Sequence, residues 1–92
     1  MKFNKDKIEA AKILTSEILE LNQILPENRC VLFEITGILN PAYIVTFCVR
    51  NPKTQSFKLE KTFTVLLSTS EKDNCFPEIC AHMKKWKEFY CR

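Results

Sequence analysis

Residues 31–36 read Val31-Leu32-Phe33-Glu34-Ile35-Thr36, a stretch in which Val31, Phe33 and Ile35 fall on alternate positions. Successive side chains of an extended strand point to opposite faces, so a period of two gathers those three residues on one side. The pattern recurs twice downstream. Tyr43, Val45, Phe47 and Val49 alternate with Ile44, Thr46, Cys48 and Arg50, and Phe57, Leu59, Phe63 and Val65 alternate with Lys58, Glu60, Thr62 and Thr64. β-Branched and aromatic residues dominate all three runs, as strands require. The connections Leu39-Asn40-Pro41-Ala42 and Asn51-Pro52-Lys53-Thr54-Gln55-Ser56 are short and carry Asn-Pro turn signals, which predicts an antiparallel meander. Lys61 interrupts the third alternation, pointing to a bulge or to a stem that reaches out to solvent.

Outward from these strands the period changes. Asn4 suits an N-cap, and Phe3 and Ile8 stand where a hydrophobic staple packs, so a helix is expected from about Lys5 until Pro26. Ala11, Leu14, Ile18, Leu21 and Leu25 draw an apolar stripe along it at alternating spacings of three and four, with Ile13, Leu19 and Ile24 off the stripe. Beyond the strands, residues 68–73 form a polar linker, Asn74 is placed to cap, and Pro77 is tolerable in a first helical turn. The second helix then presents Phe76, Ile79, Cys80, Met83, Trp86 and Tyr90 within an arc of about 120°. The expected fold class is α+β in the order α-β-β-β-α, with both helices packed on one sheet face. At 92 residues the chain has room for one core, so residues 1–92 are read as a single domain.

Composition narrows the function classes. Hydrophobic content of 46% with 27% charged residues describes an ordinary globular chain, and the short apolar runs predict no membrane span. Residues 1–6 lead straight into charge, so no secretory signal is expected. Gly37 is the only glycine, which argues against every glycine-rich phosphate cradle and hence against nucleotide cofactors. Five cysteines form an odd set without a signal peptide, and Cys30 and Cys48 fall inside strand patterns. Reduced thiols in a cytoplasmic protein are therefore expected. Lys, Asn and Ile make up about a quarter of the chain, a bias of AT-rich genomes such as those of many bacteria, phages and plasmids.

No constellation predicts catalysis. Cys75, Cys80, His82 and Cys91 lack the paired spacing of a structural zinc site, and Cys80 and His82 would point about 200° apart on a helix. Neither a metal nor any cofactor is expected. His82 has no carboxylate placed to orient it as a base for Cys80, and Glu34 and Glu60 are expected on an open sheet face rather than in a cleft. Cys80 reads as a small core residue and His82 as solvated.

Two surfaces remain as candidates for binding. On the last helix His82, Lys85, Phe89 and Arg92 recur at three and four spacing opposite Phe76 and Met83, with Lys84 nearby. That face suits a base stacked among cations, an acidic protein groove, or plain solvent. On the sheet, Leu32, Ile44 and Cys48 would point away from the helices among Thr36, Thr46, Arg50, Lys58, Glu60, Thr62 and Thr64. An apolar centre with a polar rim is the profile of a contact surface, although the open face of any antiparallel sheet carries some apolar residues.

The order α-β-β-β-α is that of double-stranded RNA-binding domains in outline, but it identifies no family here. The last helix starts Asn74-Cys75-Phe76-Pro77-Glu78, apolar and acidic, and its lysines come late at Lys84, Lys85 and Lys87. The leading expectation is a non-catalytic protein-binding module, an inhibitor or adaptor of phage or mobile-element origin that occupies a larger host protein such as a defence nuclease. The expected contact residues are Leu32, Ile44, Cys48, Arg50, Lys58, Lys84, Lys85, Phe89 and Arg92. A homodimer through the free sheet face is a further option. The alternative is nucleic-acid binding through Lys84, Lys85, Phe89 and Arg92, helped by Arg50 and Lys58, since a net charge of +3 permits it.

Overall fold

Asn4 opens the first helix as its sequence context predicts, its side-chain oxygen accepting the backbone N–H groups of Asp6 and Lys7 at 3.0 and 3.2 Å. In the computed structural model, which describes residues 3–37, 41–68 and 75–91, helix α1 spans Lys5–Ile24. Strands β1 (Arg29–Thr36), β2 (Ala42–Arg50) and β3 (Phe57–Leu66) follow, and helix α2 (Phe76–Tyr90) closes the chain. The sheet order is β1-β2-β3 with both pairings antiparallel. The α+β meander read from the sequence is the fold observed.

Both helices bury their stripes on one sheet face. Ala11, Leu14, Ile18 and Leu21 of α1 and Phe76, Ile79, Met83 and Trp86 of α2 meet Val31, Tyr43, Val45, Phe47, Phe63 and Val65. Tyr43 brings its hydroxyl into this layer with a partner, a hydrogen bond to Thr15 of α1. On the flank of α2, the Arg29 guanidinium lies 3.5 Å from the centre of the Tyr90 ring and 5.1 Å from that of Trp86, and it meets Glu60 at 3.3 Å.

Helix α2 is rolled about its axis relative to expectation. Its flank carrying His82 faces the sheet, where the imidazole sits 4.3 Å from the Phe47 ring, so His82 is half-buried rather than solvated. The opposite flank carries Cys80, which is exposed beside α1 rather than in the core. The N-cap position is Cys75, which makes no side-chain capping bond, and Pro77 sits in the first turn. Asn74, residues 69–73 of the linker, and Leu39 and Asn40 of the first turn lie outside the described residues.

The bulge signalled by Lys61 exists and has a larger effect than the sequence suggested. Phe47 pairs with Lys61, but Cys48 pairs with Leu59, which leaves Glu60 as the extra residue on β3. Alternation is inverted on its N-terminal side. Phe57 and Leu59, expected under the helices, share the open face with their partners Arg50 and Cys48. Lys58 and Glu60, expected on the open face, leave it: Lys58 stands opposite Val49, and Glu60 turns to Arg29 on the helix side.

The two sheet edges are finished differently. The Arg50 N–H donates to the Asn28 carbonyl at 2.7 Å, which fixes the even-numbered residues of β1 as those that exchange hydrogen bonds with β2. Odd-numbered residues of β1 therefore turn their N–H and C=O outward. At Val31 those groups are clasped by Asn22 of α1, whose amide accepts the N–H and donates to the carbonyl, both at 2.8 Å. At the β3 edge the buried Lys7 ammonium donates to the Leu66 carbonyl at 2.8 Å.

Candidate functional site

The open face takes its character from three side chains that no described residue covers. Leu32 is 53% exposed, Leu59 64% and Phe57 57%, and β1 and β3 carry Leu32 and Leu59 to either side of the central strand. Between them Ile44 and Thr46 of β2 are half-buried, and Leu32, Phe33, Glu34, Ile44, Thr46 and Leu59 enclose a shallow hollow of about 300 Å³. Rows of threonine border it, with Thr36 on β1 and Thr62 and Thr64 on β3, all exposed. Large apolar residues bordered mainly by uncharged hydroxyl groups keep the cost of desolvating the centre of this surface low, with Glu34 the one carboxylate that lines the hollow.

Cys48 belongs to this face by register but not as a contact. It is 0% exposed, closed in at the centre of the sheet, and its thiol lies at 3.9 Å from the Thr46 carbonyl. Burial raises its pKa, and its cross-strand neighbour Cys30 raises it further. An inert thiol in that position packs the floor of the face. Arg50 remains at the end of the face opposite Phe57, half-buried and beside Glu27, Asn28, Pro52 and Gln55.

Of the residues expected on α2, Lys85 and Phe89 stand one turn apart on an exposed flank, and Lys84 borders the groove toward α1. Lys84, Lys85 and Phe89 are exposed, Phe89 at 63%, whereas Arg92 lies outside the described residues. Lys84 and Lys87 line a groove of about 590 Å³ whose far wall is α1, where Glu17 and Glu20 face them. Opposed carboxylates offset the field that these lysines would offer a phosphate. The Cys80 thiol opens on the same groove with its pKa raised by burial and by Glu17, the reverse of what a nucleophile needs.

His82 has left the cationic face for an aromatic one. Phe47, Phe63 and Trp86 stand within 6.1 Å ring to ring, and its Nε2 is buried without a hydrogen-bond partner among the described residues. Desolvation lowers its pKa, helped by Lys85 and Lys61 and opposed by Glu60. The ring packs as a neutral aromatic. Among the described residues no three His, Cys, Asp or Glu side chains are grouped to hold a metal ion, and no helix is long and apolar enough to cross a membrane.

Sequence reasoning missed Phe57 and Leu59 as members of the open face. The signal was present in Lys61, because a bulge in a strand inverts the facing of everything on one side of it. No protein family, curated protein or solved structure matches the chain.

Proposed function

We propose that the chain is a non-catalytic protein-binding module whose open sheet face, centred on Leu32, Ile44, Leu59 and Phe57, docks on a larger protein. A small domain of this kind acts by occupying a surface, as an inhibitor or an adaptor does. The observation that carries the reading is the bulge at Glu60, which takes Lys58 and Glu60 off the face and puts Leu59 and Phe57 on it. Large apolar side chains held in water cost free energy that a monomer gains nothing by keeping, and at the centre of a partner contact they become the strongest contributors. The cationic face of α2 supports nucleic-acid binding less well, because Lys84 and Lys87 look across at Glu17 and Glu20 and His82 is withdrawn from it.

The test is affinity capture from a lysate of the source organism with the wild-type chain, Leu59→Glu and Leu32→Glu. A stoichiometric protein retained by the wild type and lost from both variants is the expected result, with unfolding transitions of all three nearly superimposed. Capture that survives both substitutions overturns the assignment of the face. A parallel titration of labelled single- and double-stranded DNA and RNA is expected to show no binding at physiological salt. Binding that persists there and is lost in Lys85→Glu would move the reading to α2.

A further inference from the structure

The β1 edge specifies how a partner attaches. Resting on the protein-binding reading, the geometry points to an extended segment of the partner, alternating apolar and basic side chains, that adds to the sheet as a fourth strand beside Phe33–Ile35. Of the outward-turned positions on β1, Arg29 gives its N–H to the Pro26 carbonyl and Val31 is held by Asn22. Phe33 and Ile35 share their parity, and their outward N–H and C=O groups find no partner among the described residues. An extended backbone satisfies such a row of donors and acceptors at the spacing of one strand.

The side chains around that edge select the segment. Phe33 and Ile35 lie on the helix side of the sheet yet are 37% and 64% exposed, so α1 does not close over the end of β1 as it does at Val31. What lies there instead is an open hollow of about 340 Å³ lined by Ile8, Ala11, Thr15 and the Lys12 side chain of α1 with Ile35, Tyr43 and Leu67. An apolar side chain of an added strand enters it next to Ile35. On the other face Glu34 is exposed and is the single charged residue of β1 beyond Arg29, so the alternate residues of the added strand are favoured when basic.

The contrast with β3 shows that this edge is not the ordinary end of a sheet. Edges that must stay unpaired carry bulges and lysines. The β3 edge has the Glu60 bulge, Lys58, Lys61 and the Lys7 ammonium on the Leu66 carbonyl. From Leu32 to Thr36, β1 has no bulge, no lysine and no proline. A second copy of the chain fits less well, because antiparallel self-pairing that matches Phe33 with Ile35 of the other copy sets the two Glu34 carboxylates directly opposite each other.

The probe is a short capped peptide alternating lysine with valine, titrated into isotopically labelled full-length protein and followed by amide chemical shifts and hydrogen exchange. Saturable shifts centred on Phe33 and Ile35, with slowed exchange at those two amides, are expected. Ile35→Pro removes the outward donor while sparing the bonds between β1 and β2, so an unchanged spectrum elsewhere with affinity lower by about tenfold or more is expected. Leu59→Glu should leave peptide binding intact, which separates this proposal from the open-face assignment. Shifts confined to α2 or to the centre of the open face, affinity unaffected by Ile35→Pro, or no saturation at millimolar peptide would each overturn it. A dimer that forms in the absence of peptide and is lost in Ile35→Pro would overturn the choice of occupant.

Discussion

The two faces of the sheet are made from the same three strands, and they differ in almost every physical respect. Under the helices Tyr43, Val45, Phe47 and Val65 are sealed among Ile18, Ile79 and Trp86, and the polar atoms Tyr43 brings in are partnered. On the open face Leu32, Leu59 and Phe57 stand in water between threonines, and the one sealed side chain is the Cys48 thiol. The first face carries stability. The second is free to vary without cost to the core, and that freedom is what a binding surface needs.

Truncations of equal kind on the two faces should separate them most widely. Trp86→Ala removes a fully packed ring against Phe47 and Arg29, and a loss of about 3–5 kcal/mol in denaturant unfolding is expected. Asn22→Ala tests the seam between helix layer and sheet edge. It leaves the outward N–H and C=O of Val31 without their partner, and a loss of about 1–2 kcal/mol is expected, together with faster hydrogen exchange at the Val31 amide.

A smaller effect should follow pH through the covered face alone. His82 has a lowered pKa in the folded state, so below its ordinary value near 6.5 the unfolded chain binds a proton that the folded chain resists. Its contribution is complete above that value and is lost as pH falls toward the folded pKa. Midpoints measured from pH 7.5 down to 5 should decline in the wild type, and His82→Leu should flatten that decline; equal slopes in the two proteins would contradict the packing described for the imidazole. The least effect is expected on the open face, where Leu59→Glu should change stability by no more than about 0.5 kcal/mol. A loss near that of Trp86→Ala would erase the distinction between the faces.

Most of the fold was legible because periodicity reports burial directly. The stripe of Ala11, Leu14, Ile18 and Leu21, Val31 of β1, and Tyr43, Val45 and Phe47 of β2 could each bury only one way, and they did, whereas Phe33 and Ile35 share that parity and stay exposed. The candidate site was less legible, for two reasons. Lys61 announced a bulge without saying which residue would be the extra one, and that choice decides whether Leu59 or Lys58 meets the partner. The apolar arc of α2 was wide enough to allow a roll, and the roll exchanged the environments of Cys80 and His82. Long-range clasps such as Asn22 on Val31 and Arg29 on Tyr90 leave no trace in local spacing.

The bulge at Glu60 also has a meaning in the currency of mutation. Insertion of one codon between Glu60 and Lys61, with a one-residue bulge kept, exchanges which side chains are displayed and which are hidden from Phe57 to Glu60, while Phe63 and Val65 keep their places in the core. A lineage can thereby exchange the β3 part of its apolar patch, Phe57 and Leu59, for Lys58 and Glu60 in a single genetic event, without passing through a chain of individually altered residues. Surfaces that must keep pace with a changing partner gain from such a step.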